Sequence, residues 1–310
     1  YKGKFISGEN MAKKLGISRA AVWKHINILK REGYRIDSIP QRGYRLTAIP
    51  DCMNAYELKD SIGSDIFGNK IFYFNKIDST QNYAKALASK DFPEGTVVVA
   101  ESQGIGRGRL GREWVSPPGG IWFSFIIRPY IAPRNAGIIP LLSALSIVQS
   151  LREMDITTRI KWPNDIYLNQ KKIAGVLVES EIEQDKIHWI VVGVGINANF
   201  KKSKLKNIPG ASTILEETKK KISRLNFLKS FFLNFKIYYD KLITEGSGEI
   251  INEVKECIMF LNEKVKLKAI NKEVEGRLIA ITDIGEIVIK LKEKEELTFS
   301  SGELQQMLTG

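Results

Sequence analysis

Residues 101–114 constrain this chain more than any other stretch. Gly104, Gly106, Gly108 and Gly111 alternate there with Arg107, Arg109 and Arg112, directly after the apolar run Thr96–Ala100. Glycine lets a backbone approach a ligand closely, and arginine offers a fixed fork of donors matched to carboxylate and phosphate oxygens. The pattern predicts a cationic loop that closes over an anionic ligand. Gly106, Gly108 and Gly111 formally match a dinucleotide fingerprint, which requires its glycines to open a helix. Pro117, Pro118, Gly119 and Gly120 follow instead and stop any helix, so that site is excluded. Without context such a loop reads equally well as a solvated linker, and the decision lies elsewhere in the chain.

The 310 residues suffice for two or three domains. No apolar run approaches the ~18 residues that a membrane span requires; the longest, Ile138–Val148, is interrupted by Pro140. Cys52 and Cys257 stand far apart, and with two histidines they give neither a disulfide framework nor a metal-ligand spacing. The expectation is a reduced, cytoplasmic protein without a leader, a membrane segment or a metal centre of its own.

Charge is unevenly placed. Residues 1–48 hold 11 Lys/Arg against 3 Asp/Glu, whereas residues 263–310 hold 8 against 9. A basic N-terminal segment suggests a polyanionic partner, or only a solubilising surface. Its pattern is more specific. Ser7 caps a helix over Gly8–Leu15, and Gly16 ends it. Ser18 caps a second helix from Arg19 to about Arg31, with Val22, Ile26 and Leu29 on one buried stripe. Arg19, Ala20, Trp23, Lys24 and Asn27 then face outward. Residues 34–46 alternate about a Pro40–Gly43 turn and read as a β-hairpin with Arg42 at its tip. Helix, glycine turn, helix and basic hairpin have the layout of a winged helix-turn-helix, whose second helix enters the major groove; the alternative is a helical hairpin used for packing or dimerisation.

After the linker Ala48–Asp51 the character changes to alternating strands and helices. Ile71–Asn75 reads as a strand, Ile77–Asn82 as a polar turn capping a helix Tyr83–Ser89, and Ile121–Arg128 as an apolar strand. Ala136–Met154 reads as a helix bent near Pro140. Ile166–Leu168 and Lys172–Glu179 form a hairpin beside the turn Trp162-Pro163-Asn164-Asp165, and Gly175 offers bare backbone to a ligand. Ile187–Val194 is apolar on both faces and is covered by helices or by another subunit. Lys201–Lys206 reads as a solvated loop. Helices follow at Arg224–Glu245 and Glu249–Phe260, the first with a core stripe of Phe227, Phe231, Phe232, Phe235 and Tyr238. Strands at Lys264–Ala269, Glu275–Ile281, Ile287–Leu291 and Leu297–Phe299, with turns at Asn271-Lys272 and Asp283–Gly285, read as a small β-barrel.

Together, Gly106–Trp114, Lys161–Asp165 and Lys172–Glu179 resemble the motifs of the biotin protein ligases, with Asp78-Ser79-Thr80 and Gly193–Asn197 fitting in the same order. With the N-terminal and C-terminal segments the chain resembles the bifunctional ligase and biotin operon repressor type. The resemblance implies an α+β multidomain chain: a winged helix-turn-helix over 1–48, a class II synthetase-like α/β ligase domain with a mixed sheet over 52–262, and an SH3-like C-terminal β-barrel over 263–310. It implies adenylation of biotin by Mg2+–ATP to biotinyl-5′-AMP and transfer to a lysine of a biotin carboxyl carrier protein. It further implies operator DNA binding and a ligand-promoted homodimer, here through the Ile187–Val194 region. Lys172 and Arg107 are the implied catalytic cations. Ser79, Thr80, Gln81, Gln103, Arg107, Gly108, Arg109, Lys172 and Gly175 would meet biotin. Arg109, Arg112, Trp114, Asn164 and Asn197 would meet the nucleotide. Two departures stand out: Gln81 follows Ser-Thr where the family commonly has Asn, with Asn82 one place on, and Gln305-Gln306-Met307 replaces a more basic ending after Gly302-Glu303-Leu304. A lipoate-type ligase and a ligand sensor without ligase activity remain as alternatives.

Overall fold

In a computed structural model, Ser7 and Ser18 open the first two helices as their sequence contexts predict. The structure describes residues 3–51, 53–62, 66–205, 208–269, 272–292 and 295–307; Cys52, Lys206 and Asn271 lie outside the described residues. The chain divides into two compact units between residues 52 and 53.

In the first unit α1 (Gly8–Leu15) ends on Gly16 in the left-handed conformation, and the Ser7 hydroxyl accepts from the Asn10 amide. The Ser18 hydroxyl likewise accepts from the Ala21 amide at the start of α2 (Arg19–Arg31). Each such cap contributes about 1 kcal/mol. Val22 and Ile26 pack with Ala12 in a small core that also engages Ile36 and Tyr44. Those last two lie on the antiparallel hairpin β1 (Arg35–Ile39) and β2 (Gly43–Ala48).

The second unit begins with α3 (Ala55–Ile62), β3 (Ile71–Phe74), α4 (Thr80–Ala88), β4 (Val97–Ala100), β5 (Ile121–Ile127) and α5 (Ile139–Arg152). It continues through β6 (Arg159–Lys161), β7 (Asp165–Leu168), β8 (Lys171–Glu183), β9 (Lys186–Ile196), α6 (Ile214–Thr218), α7 (Arg224–Thr244) and α8 (Gly248–Cys257). Seven of these strands form one sheet in the order β3-β4-β5-β9-β8-β7-β6. Only β3 and β4 pair in parallel, so the sheet is mixed. One face packs on α5 and α7, where Phe231, Phe232 and Phe235 meet Phe123 and Phe125 of β5 and Phe227 stacks on Phe231. The other face is covered by Ala84, Leu87 and Ala88 of α4 against Ile126, Trp189 and Val191.

Four expectations are corrected. The fourth helix starts at Thr80 rather than Tyr83, because Ser79 caps it and its polar first turn is buried by tertiary contacts that periodicity does not register. Pro140 does not bend a helix; a 3-10 turn over Pro133–Ile138 precedes it and proline occupies the first turn of α5, where its missing N–H costs nothing. Strand β9 is hydrogen-bonded on both edges, to β5 and β8, and both its faces are covered by the chain's own helices. Of Ile187–Val194 only His188 keeps a half-exposed side chain; the other residues are buried within the chain itself. Lys202–Leu205 is a short 3-10 helix with Leu205 buried, not simply a solvated loop.

The C-terminal strands β10 (Lys264–Lys268), β11 (Glu273–Ile281), β12 (Ile287–Lys290), β13 (Glu296–Phe299) and β14 (Glu303–Gln306) form an antiparallel sheet in the order β13-β12-β11-β10-β14. The polar strand β14 is an addition to the four expected. Among the described residues no pairing of β13 with β14 closes the row. This sheet is fixed to the central one through its 282–286 turn: the Trp162 indole donates to the Gly285 carbonyl (2.9 Å), and a Cβ on Gly285 would lie 2.9 Å from the Gly137 carbonyl. Val265, Leu267 and Leu278 join the main core.

Candidate active site

Above the C-terminal ends of β4 and β9 and the N-terminal end of β8 lies a cavity of about 730 Å³. All thirteen residues expected to meet biotin or nucleotide line it: Ser79, Thr80, Gln81, Gln103, Arg107, Gly108, Arg109, Arg112, Trp114, Asn164, Lys172, Gly175 and Asn197.

The inner end is a polar network. Thr80 donates from its amide (2.8 Å) and its hydroxyl (3.1 Å) to Gln103 Oε1, whose amide nitrogen donates to Ser116 Oγ (2.9 Å). Ser124 Oγ donates to Gln81 Oε1 (3.1 Å), and Gln81 Nε2 reaches the Val191 carbonyl. Gln81 is thus turned inward and buried, whereas Asn82 accepts from Arg107 (2.8 Å) at the exposed rim.

The Gly/Arg stretch is folded back on itself. Trp114 donates its amide to Gly106 O (2.8 Å) and Gly108 donates to Arg112 O (2.7 Å), with a tight turn at Arg109–Gly111. Gly106 is required for this approach, since a Cβ there would lie 2.1 Å from Trp114 O. The bare backbone of Gly175, expected to face ligand, receives the Trp114 ring; an added Cβ would lie 3.2 Å from it, and one on Gly195 2.6 Å from its indole nitrogen.

Charge is concentrated beside the indole. Lys172 Nζ pairs with Asp165 (2.6 Å) and sits 5.2 Å from the Trp114 ring centre. Arg109 donates to Asn164 Oδ1 (3.0 Å), and burial lowers its pKa, partly offset by Asp165. Arg112 pairs with Glu303 at 3.3 Å, a contact that raises the arginine pKa and lowers that of the carboxyl. Burial pushes the Tyr167 phenol up to about 12. Two buried polar atoms of the cavity wall have no partner among the described residues, the Trp114 indole N–H and Asn197 Oδ1. Leaving such groups unpaired costs roughly 1–3 kcal/mol each. Sequence reading missed Lys161, Tyr167, Ser124, Leu205 and Ser301 as lining residues, and Glu303 carried a motif resemblance but no site assignment.

In the first unit Arg19, Ala20, Trp23 and Lys24 are exposed on one face of α2 with the half-buried Asn27, and Trp23 is 62% exposed. The Arg42 guanidinium lies 5.0 Å from the Phe5 ring centre.

Residues 73–197 match the biotin/lipoate A/B protein ligase family, and residues 1–45 match a helix-turn-helix domain family. The chain is 34% identical over 303 residues to the bifunctional ligase/repressor BirA of Bacillus subtilis, spanning 96% of this chain and 93% of that protein. The corresponding protein of Escherichia coli K12 is 29% identical over 93% of this chain and 89% of its own length. A biotin protein ligase from Aquifex aeolicus, solved with biotin and ATP, superposes with a TM-score of 0.65 at 30% identity, covering 78% of this chain and all of that one. From its N-terminal helix pair to its last sheet, the chain belongs to the biotin protein ligases of the bifunctional ligase/repressor type.

Proposed function

We propose that this protein attaches biotin to a lysine of a biotin carboxyl carrier protein, of acetyl-CoA carboxylase or a related carboxylase, at the expense of ATP, and represses transcription in response to biotin. The observation that carries this reading is one cavity holding both a hydroxyl–amide network and a cation cluster around Lys172. About 730 Å³ lies within the range of roughly 300–1,000 Å³ usual for small-molecule sites.

In the first step a biotin carboxylate oxygen attacks the ATP α-phosphorus and diphosphate leaves. Two anions must be held together while charge builds on the phosphoryl oxygens. Ser79, Thr80, Gln81 and Gln103 would orient the ureido ring and tail, with Gly108 and Gly175 forming backbone walls. Arg107, Arg109 and Lys172 would hold the reacting oxygens, each preorganised donor contributing about 3 kcal/mol to the barrier. Trp114, Arg112, Asn164 and Asn197 would pack on and bond the nucleotide. Mg2+ would arrive on the triphosphate. In the second step the carrier lysine amine attacks the acyl carbon of biotinyl-5′-AMP and AMP leaves, so no covalent enzyme residue is required.

The first unit is read as a winged helix-turn-helix with Arg19, Ala20, Trp23, Lys24 and Asn27 facing operator DNA and Arg42 on the wing. The middle is read as class II synthetase-like over 52–262, and residues 263–310 as an SH3-like barrel. A ligand-promoted homodimer in the cytoplasm would connect ligation to repression. Incubating a carrier domain with the protein, biotin and Mg2+–ATP should raise its mass by one biotinyl group, and Lys172→Ala should lower the rate at least a hundredfold. No mass gain, or equal diphosphate release with lipoate, would overturn the reading.

A further inference from the structure

Lys161 is a cation of this cavity that the reading above leaves without a task. It ends β6, in register with Asp165 of β7, and lines the cavity. The two nearby carboxylates are already engaged: Asp165 with Lys172 at 2.6 Å and Glu303 with Arg112 at 3.3 Å. Among the described residues no carboxylate lies within 4.0 Å of the Lys161 ammonium, which sits instead 5.4 Å from the Tyr167 ring centre. Burial lowers its pKa, opposed by Asp165 and Glu303, and the Lys172 ammonium lowers it further. Such a half-buried cation gains most from an anion brought in by a ligand.

The strand order says which anion. The hydroxyl–amide network lies over β5 and β9, Lys172 is on β8, and Lys161 is on β6 at the sheet edge. In phosphoryl transfer the attacking and leaving oxygens stand roughly in line. A carboxylate approaching Lys172 from the β5–β9 side expels its leaving group toward β7 and β6. We propose that Lys161 binds the diphosphate end of the nucleotide and serves adenylate formation alone. The inference rests on the ligase reading above. The bond made is between a carboxylate oxygen and the α-phosphorus, the bond broken is that from the α-phosphorus to the bridging oxygen, and Lys161 holds the charge that moves onto diphosphate.

The two half-reactions separate this role from a structural one. Lys161→Met keeps an apolar stem over Tyr167 and removes the charge. With the full chain, diphosphate release from biotin and Mg2+–ATP should fall about tenfold, the factor that one charged hydrogen bond supplies. Transfer from synthetic biotinyl-5′-AMP to a carrier domain should run at the unaltered rate, inhibition by added diphosphate should weaken, and Lys161→Arg should restore part of the release. Equal loss in both half-reactions, or release unchanged in Lys161→Met, overturns the proposal. If the unaltered chain releases no diphosphate, it is the ligase reading that fails.

Discussion

A single residue, Trp114, dictates three glycines. Gly106 admits its carbonyl, and Gly175 and Gly195 admit its ring. The sequence shows those glycines but not their common cause, because they lie on a loop and two strands far apart in the chain. Gly106→Ala is expected to destabilise the folded loop by about 1–3 kcal/mol, the usual cost of overpacking. Diphosphate release should fall with it, while Gly248→Ala, whose added methyl meets nothing within 4 Å, serves as the control; equal behaviour of the two would refute the close-approach argument. Gln81 and Asn82 show a second limit of sequence reading. Both are amides that can hydrogen-bond, and only the turn of about 100° per residue along a helix sends Gln81 inward and Asn82 to the rim beside Arg107.

At the scale of elements, local signals were the legible ones. Ser7, Gly16 and Ser18 mark helix ends through hydrogen bonds to their own neighbours, and the phenylalanine stripe of α7 shows its buried face by period alone. Strand β14 was not legible: Glu303-Leu304-Gln305-Gln306 has little apolar content and exists because β10 pairs with it. The Gly/Arg loop stands between these cases. Its composition announced a cationic loop, and the structure adds backbone bonds that fold it and leave Leu110 81% and Ile105 62% exposed. Such a tip is open to proteolysis. Trypsin should cut after Arg107, Arg109 or Arg112 in the free protein, and biotin with Mg2+–ATP should slow the cut several-fold as the loop closes over ligand. Peptide mapping that finds the same cleavage rate with and without ligand would remove the lid role.

At the scale of the molecule, the two compact units assign separate tasks to separate residues. Arg19→Ala or Lys24→Ala should weaken operator binding and reduce the salt slope by about one unit for each phosphate that the variant no longer neutralises, with biotin transfer unchanged. Loss of transfer in either variant would contradict the division. Sequence reading recovered the order of these parts but not Lys161 and Glu303 as cavity residues, because that wall is completed only when the 282–286 turn docks on Trp162 and Gly137. The same docking has a consequence for synthesis. The first unit is finished by residue 52, whereas the cavity needs residues up to Leu304. At roughly 5–20 residues per second, a nascent chain presents its basic helix pair for about 10–50 s before the wall bearing Glu303 exists. A chain halted in that interval would carry the proposed DNA-reading surface without the means to sense biotin, so translational arrest or truncation before β14 would yield a form whose hold on DNA no longer answers to ligand.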